Sequence, residues 1–225
     1  MKLNAYKLLG SLLVCVALVT GCQSTYSISS RLSERELQYS FSKPPYIHPK
    51  IIQDLITWIS DTGDQIIEIN LVDAQDSNRY FGDILVKEVP NGPFPFVYVE
   101  ERHAEDVAPP YFGYRYVGTT TSGIHVLRTA LDGGGSGTFV TLVFLSIHRE
   151  KGASFVQDNG PRPPSIDRVV LHKEGEFALG DRWEGNLSVR GNTVFIGKDR
   201  GWFSGSMTTN DDHTLSILVE SQQRN

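Results

Sequence analysis

The chain has 225 residues, 40% of them hydrophobic and 21% charged, which is enough apolar material for one domain with a substantial core. Its 26 acidic residues outnumber its 21 basic residues, for a net charge of −5, and no segment concentrates lysine and arginine. This composition excludes global disorder, and it argues against nucleic acid as a partner because a nucleic-acid backbone requires clustered positive charge.

The first 21 residues have the pattern of a secretory signal peptide. Lys2 and Lys7 give a positive start, and residues 8–20 form an apolar stretch of 13 residues. A membrane-spanning helix needs about 20 apolar residues, so this stretch is too short to span a bilayer. We expect residues 1–21 to be removed, which leaves a net charge of −7 from 19 basic and 26 acidic residues.

The leader ends in Val19-Thr20-Gly21-Cys22. This junction resembles the lipobox of bacterial lipoproteins, in which an aliphatic residue and two small residues precede an invariant cysteine. The resemblance implies cleavage between Gly21 and Cys22 and acyl chains such as palmitate on Cys22, an anchor that holds firmly when two or more chains are present. Gln23 stands where lipoproteins retained at the inner membrane have aspartate, which implies the outer membrane, facing the periplasm. The alternative is an ordinary secretory signal with an incidental cysteine.

After the leader, two parts are predicted. The serine-rich segment 22–48 has few core residues and is predicted to be a flexible tether of about 28 Å that keeps the rest near the membrane. Within it, residues 33–36 are compatible with a helix start and residues 37–41 with a strand. Residues 49–225 are predicted to form a single β-rich domain.

One helix is predicted, at residues 49–61. Its apolar residues follow helical spacing and form one stripe: Ile51, Ile52, Leu55, Ile56 and Ile59. Pro49 suits the first helical position because its missing N–H has no partner there in any helix. Gly63 suits the helix end.

The remaining apolar segments alternate in the manner of strands and are bounded by turn residues. Eleven are predicted: 65–71, 80–89, 96–100, 112–119, 123–131, 138–148, 168–173, 182–190, 193–198, 202–208 and 214–220. Gly191-Asn192 predicts a type II′ hairpin turn, and residues 210–213 predict another loop. The pattern predicts a mainly β fold, an antiparallel two-sheet sandwich or open barrel with one N-terminal amphipathic helix.

Segment 138–148 further constrains the architecture. One face would have Phe139, Val143, Leu145 and Ile147, and the other Val140, Leu142 and Phe144. A strand that is apolar on both faces needs cover on both, so we expect a second sheet on one side and the helix on the other. Residues 150–167, with three prolines, are predicted to form one long loop.

Two surfaces are candidates for binding. Phe112, Tyr114 and Tyr116 alternate along one face of a strand, where exposed rings would contact sugars or lipid; the alternative is a core face. Pro109-Pro110 before them suggests an edge strand and favours exposure. The second candidate is the glycine-rich loop after Asp132, whose amides would form an anion nest if folding brought Arg128 near; the alternative is a plain hairpin loop. Its candidate residues are Gly133, Gly134, Gly135 and Ser136.

Catalytic and metal signatures are weak. No Walker A, GxGxxG, HExxH or GxSxG motif occurs, and both cysteines, Cys15 and Cys22, precede the mature domain. The acidic segments 100–106 and 73–78 are interpreted as solvated turns, so no metal or cofactor is expected. His125 with Asp132 and Ser136 is a remote possibility for a triad.

Taken together, the sequence predicts an envelope lipoprotein that serves as a non-catalytic binding or structural module. Its expected partners are the membrane, through lipid on Cys22, and an envelope protein or glycan. The alternative is an envelope hydrolase that acts on cell-wall or glycan material, which would require histidines and carboxylates to converge in a cleft.

Overall fold

A computed structural model describes residues 39–57, 65–76, 84–89, 92–100, 109–153, 165–199 and 215–219. The helices are α1 (Pro49–Thr57) and α2 (Leu71–Asp76). The strands are β1 (Glu68–Asn70), β2 (Leu85–Lys87), β3 (Phe96–Glu100), β4 (Tyr111–Thr119), β5 (His125–Asp132), β6 (Thr138–Ala153), β7 (Ser165–Asp181), β8 (Leu187–Arg190), β9 (Thr193–Ile196) and β10 (Leu215–Leu218).

The strands form one large sheet and one small sheet. The large sheet is curled and antiparallel, in the order β1-β7-β6-β5-β4-β3-β2. From β2 to β7 each strand lies beside the next one in sequence, and β1 closes the other edge. The small sheet has the order β10-β9-β8 and is also antiparallel. The predicted mainly β, antiparallel fold is confirmed at this level.

The centre of the large sheet is a long hairpin. β6 has 16 residues and β7 has 17, and they pair from Phe139–Asp181 to Ala153–Ser165, with register shifts near Val140 and Phe144. The predicted loop at 150–167 is therefore too long, because β-pairing continues three residues beyond Glu150 and resumes at Ser165. Prolines begin only at residue 161, so they do not interrupt this pairing.

One face of the large sheet is covered by α1 and by the segment that precedes it. The stripe residues Ile51, Ile52 and Leu55 are fully buried and pack with Val143 and Leu145 of β6. The helix start is fixed by the residue before its proline, because the His48 Nδ1 atom accepts a hydrogen bond from the Lys50 amide at 3.1 Å. The predicted helix is confirmed from Pro49 to Thr57, and residues 58–61 lie outside the described residues.

The predicted boundary between tether and domain is wrong. Phe41, Tyr46 and Ile47 are buried in the same cluster as α1. The Tyr114 hydroxyl donates to the Ile47 carbonyl at 2.6 Å, which ties this segment to β4. The domain therefore includes residues 39–48. Their buried apolar side chains stand among polar residues in the sequence, so no apolar pattern marks this segment as part of the core.

The other face of the large sheet carries a second apolar cluster with the small sheet. Val140, Leu142 and Phe144 of β6 are buried there with Trp183, and the cluster includes members from β9 and from the chain end: Val194, Ile196 and Val219. Cover on both faces of β6 is therefore confirmed. Phe139 is an exception, because it lies at the strand start beside the glycine loop and is 62% exposed.

Three further local predictions are compared with the structure here. The turn between β8 and β9 is confirmed as a two-residue hairpin in which Arg190 pairs with Thr193, and φ is +61° at Gly191, as a type II′ turn requires. The turn predicted within 73–78 is wrong, because α2 occupies residues up to Asp76. Strand 202–208 and loop 210–213 lie outside the described residues. Among the helices that are described, none is long and apolar enough to cross a membrane.

Candidate functional site

The aromatic row on β4 is a core feature, so the prediction of an exposed binding surface is wrong. Phe112, Tyr114 and Tyr116 have exposures of 3%, 0% and 9%. The Phe41 ring packs edge-on against Tyr114, with ring centroids 6.0 Å apart, and lies parallel to Tyr116 at 6.4 Å. β4 lies between β3 and β5 and not at an edge, and the N-terminal segment covers this face.

The glycine-rich loop joins β5 to β6 and is closed by carboxylates of the chain itself. The Asp132 side chain accepts hydrogen bonds from the Gly134 amide at 2.8 Å and from the Thr138 hydroxyl at 3.2 Å. Asp181 accepts one from the Thr138 amide at 2.7 Å. Two carboxylates at the loop base disfavour a bound anion, and these hydrogen bonds fit the hairpin-loop alternative. Its exposed residues, Gly133, Gly135 and Ser136, make no side-chain contact of their own with the described residues.

His125 does not meet the other two residues of the hypothetical triad. It begins β5, whereas Asp132 ends that strand, seven residues or about 23 Å away along the extended backbone. The His125 Nδ1 atom lies 3.0 Å from the Thr119 hydroxyl, and its Nε2 atom is buried without a partner. Burial lowers the pKa of His125 to about 4 from an ordinary value of 6.5, so the ring is neutral at physiological pH.

The acidic segments provide no assembled metal site within the part of the chain that the structure covers. No group of three or more His, Cys, Asp or Glu side chains is arranged there to hold a metal ion. Of residues 100–106 only Glu100 is described, at the end of β3, and residues 77 and 78 of the other segment lie outside the described residues.

A concave feature of the described residues is a cavity of about 650 Å³ on the face of the large sheet that also bears the small sheet. Arg115 on β4 and Arg128 on β5 contribute to its floor, and Trp183 and Glu184, just after β7, form part of its wall. The remaining lining residues are Val89, Phe96, Tyr111, Ala130, Thr138, Val140, Arg182, Gly185 and Asn186.

Arg115 and Arg128 are direct partners across the β4–β5 ladder. Cross-strand partners of this kind have Cα atoms about 4.5–5.5 Å apart, and their side chains point to the same face. Their Nε–H groups are both buried with no acceptor among the described residues. The Arg128 guanidinium donates to the Trp183 carbonyl at 2.6 Å and lies 5.5 Å from the centroid of the Trp183 ring.

Neither of these guanidiniums has a carboxylate within 4.0 Å among the residues that the structure describes. Burial lowers the pKa of Arg115. Burial also lowers the pKa of Arg128, and the charge of Arg115 lowers it further, while Glu184, Tyr111 and Asp199 act in the opposite direction. Both side chains nevertheless remain cations at neutral pH. The cavity lining therefore holds two neighbouring positive charges that have no direct ion-pair partner among the described residues.

The backbone beside the cavity adopts an uncommon conformation. Arg182 has a φ of +50°, in the left-handed region that side chains other than glycine rarely occupy. Its amide donates to the Thr138 carbonyl at 2.7 Å, which holds the end of β7 against the start of β6. This turn places a third arginine in the lining of the cavity.

The sequence contains a signal for this site, an arginine among apolar residues on one face of each strand, although no known motif marks it. Along β5, Arg128 lies between Val126 and Ala130 on one face, and along β4, Arg115 follows Gly113 on the same face as Val117. An arginine at an inward position of an interior strand breaks the apolar pattern and indicates a polar interior. The pairing register that makes the two arginines neighbours is not visible in the sequence.

Comparison of the chain with models of known protein families, with curated proteins and with solved structures finds no match.

Proposed function

We propose that this chain is a lipid-anchored envelope protein whose β-rich domain binds an anionic ligand in the arginine-lined cavity. The observation that supports binding is the Arg115–Arg128 pair, two directly opposed cations in the lining of a cavity of about 650 Å³. Uncompensated charge of this kind is costly to keep half-buried, and an incoming anion removes that cost. Cavities of about 300–1,000 Å³ accommodate small organic ligands.

The anchor part of the proposal is supported by the lipobox resemblance at Gly21-Cys22 and by the position of Tyr39. At most 17 residues separate Cys22 from Tyr39, so even a fully extended connection reaches only about 60 Å. The cavity would therefore operate close to a bilayer surface, and Gln23 favours the outer membrane. Mass spectrometry of the native N-terminal peptide tests this: we expect an acylated Cys22, and an unmodified peptide in a freely diffusing protein would contradict it.

We also propose that the domain is a two-sheet sandwich in which the small sheet is the second layer. It is supported by the cluster that joins Val140 and Leu142 of β6 to Val194 and Ile196 of β9. At Gly118 the two sheets approach closely, because a Cβ atom built there would lie 3.2 Å from the Val189 side chain.

The hydrolase alternative requires histidines and carboxylates that converge. The described residues that line the cavity include a single carboxylate, Glu184, and no histidine. We therefore retain the binding module as the proposed function.

Isothermal titration of the processed protein with inorganic phosphate, sulfate and acetate tests anion binding. We expect saturable binding of at least one anion, weakened about 10- to 100-fold by Arg115→Met, because a hydrogen bond to a charged group contributes about 1.5–3 kcal/mol. Arg190→Met is the control, since it removes one arginine from an exposed position of β8 that does not line the cavity. Equal binding by all three proteins would contradict the proposal.

A further inference from the structure

The two arginines at the cavity floor indicate how many negative charges the ligand has, as well as the sign of its charge. This step rests on the proposed function, that the cavity binds an anion. Each guanidinium presents a planar edge of N–H donors that matches two oxygens of one anion. Arg115 and Arg128 occupy directly opposed positions of one ladder, and both line the cavity.

The lining contains three arginines, Arg115, Arg128 and Arg182, and one carboxylate, Glu184, so its formal charge is +2. A carboxylate or sulfonate has a single negative charge and would leave one of these positive charges uncompensated. A phosphate monoester has up to two negative charges at neutral pH and three terminal oxygens. It therefore compensates both guanidiniums and offers acceptor oxygens to the N–H donors of both. Glu184, the carboxylate in the lining, lies more than 4.0 Å from either guanidinium and so does not take this place.

The remaining walls indicate what the phosphate is attached to. Phe96, Tyr111 and Trp183 contribute aromatic lining, and Thr138 and Asn186 contribute hydrogen-bonding groups. An aromatic wall beside a few polar side chains suits the flat apolar face of a sugar or a ring system. Inorganic phosphate would leave these walls without contacts.

We propose that the cavity binds a phosphate monoester of a small organic group, with its phosphate held between Arg115 and Arg128 and its organic group against Trp183, Tyr111 and Phe96. The same headgroup chemistry occurs in soluble phosphomonoesters and in lipids that end in a phosphomonoester.

The test compares phenyl phosphate with benzenesulfonate, because both have a tetrahedral acid on a phenyl ring and they differ in charge. With the processed protein at pH 7.5, we expect phenyl phosphate to bind at least about tenfold more tightly than benzenesulfonate. Lowering the pH to 5 protonates the phosphate, whose second pKa is about 6, and should weaken phenyl phosphate by about tenfold while leaving benzenesulfonate unchanged.

Two substitutions of Arg115 distinguish binding of two ligand oxygens by the guanidinium fork from attraction by a single positive charge. The Arg115 side chain makes no hydrogen bond to the described residues, so its replacement leaves none of their backbone groups unsatisfied. Arg115→Lys retains the charge without the fork and should bind phenyl phosphate with an affinity between those of the wild type and Arg115→Met. Arg190→Met should match the wild type. If Arg115→Lys binds as well as the wild type, the assignment of a two-fork clamp is overturned.

A second arm distinguishes the two sources of the phosphate. Vesicles that contain phosphatidic acid present a phosphomonoester, and vesicles that contain phosphatidylglycerol present a phosphodiester with one charge. Binding that depends on Arg115 and favours phosphatidic acid assigns the lipid source, whereas binding of phenyl phosphate alone assigns a soluble ligand; both support the proposal. If phenyl phosphate and benzenesulfonate bind equally and both require Arg115, the phosphomonoester inference is overturned and anion binding stands. If no anion binds, both fall.

Discussion

At the scale of single residues, the structure places charge where packing would favour apolar side chains. Arg115 and Arg128 lie opposite each other on interior strands, and neither has a carboxylate partner among the residues described. Arg182 adopts a left-handed backbone conformation beside them. Proteins retain such features mainly where a ligand compensates for them, because they reduce stability in the empty state.

Arg115→Met should therefore separate binding from stability. The substitution removes a half-buried, uncompensated charge while it keeps most of the side-chain length. We expect the free energy of unfolding to stay the same or to rise by up to about 1 kcal/mol, although anion binding weakens. Urea unfolding of the wild type and the variant measures this. A loss of more than about 1 kcal/mol would mean that Arg115 holds the fold and not a ligand.

His125 gives the protein a predictable response to acid. Its pKa is about 4 in the folded state and 6.5 in an unfolded chain, so the unfolded chain binds more protons between these values. The stabilising neutral form is fully present above pH 6.5, and the free energy of unfolding falls as the pH drops toward 4, by about 3 kcal/mol in total. His125→Asn should remove this part of the pH dependence, because asparagine does not titrate. Urea unfolding of both proteins at pH 7.5 and pH 4.5 measures the difference; parallel curves would contradict the assignment.

At the scale of secondary-structure elements, close approaches between strands decide the geometry of the cavity wall. A Cβ atom at Gly113 on β4 would lie 2.4 Å from the Phe96 ring and 2.6 Å from the Tyr98 Cβ atom. The Phe96 ring therefore covers Gly113, in the manner of an aromatic side chain that packs over a glycine on the neighbouring strand. This contact sets the position of one aromatic wall of the cavity.

Gly113→Ala should displace the Phe96 ring and destabilise the domain by about 1–3 kcal/mol, the usual cost of overpacking. Thermal and urea unfolding measure the effect, and a shift in phenyl phosphate affinity would accompany it. Gly133→Ala is the matched control, because no atom lies within 4 Å of a Cβ built at that loop position. A loss of stability of the same size in both variants would show that the Phe96 contact is not the cause.

Several elements could be predicted from the sequence because their signals are local. The stripe from Ile51 to Leu55 gave α1, and Gly191-Asn192 gave a two-residue turn because only a residue tolerant of positive φ fits there. α2 was not predicted, since six residues are too few for helical periodicity to show. The same limit applies to residues 39–48, whose core residues Phe41 and Ile47 are isolated among polar and proline residues.

The candidate site could not be predicted, because it depends on long-range pairing. Alternation along β4 showed correctly that Phe112, Tyr114 and Tyr116 share a face, but not whether that face is inside or outside. The segment that covers it lies more than 60 residues earlier in the chain, as the Tyr114–Ile47 hydrogen bond shows. The Arg115–Arg128 pair likewise exists only once the register between β4 and β5 is set.

At the scale of the whole molecule, the large sheet has an apolar cluster on each face. α1 and residues 39–48 contribute to one cluster, and the small sheet with Trp183 contributes to the other. The cavity lies on the second face, beside Val140 and Trp183, where the small sheet does not fill the space over the arginines. The proposed binding function thus depends on the space that the described strands of the small sheet leave open over the arginines.

Leu145→Ala and Leu142→Ala compare the two clusters directly. Both leucines are fully buried on β6, Leu145 in the cluster with α1 and Leu142 in the cluster with the small sheet. We expect each variant to lose about 2–5 kcal/mol in urea unfolding, the usual cost of truncating a buried leucine. Phe139→Ala, at a position that is 62% exposed, should lose less than about 1 kcal/mol. A loss below about 1 kcal/mol for Leu142→Ala would show that the small sheet does not form a packed layer in solution.

Nuclear magnetic resonance of the arginine Nε–H groups tests whether Arg115 and Arg128 together bind an anion. Both Nε–H groups belong to guanidiniums that line the cavity, so a phosphate bound between these guanidiniums should move both resonances. During titration of the processed protein with phenyl phosphate, the account predicts that the two signals shift together and saturate at one ligand concentration, while the Arg190 signal stays in place. Signals from Arg115 and Arg128 that do not move at saturating phenyl phosphate would contradict it.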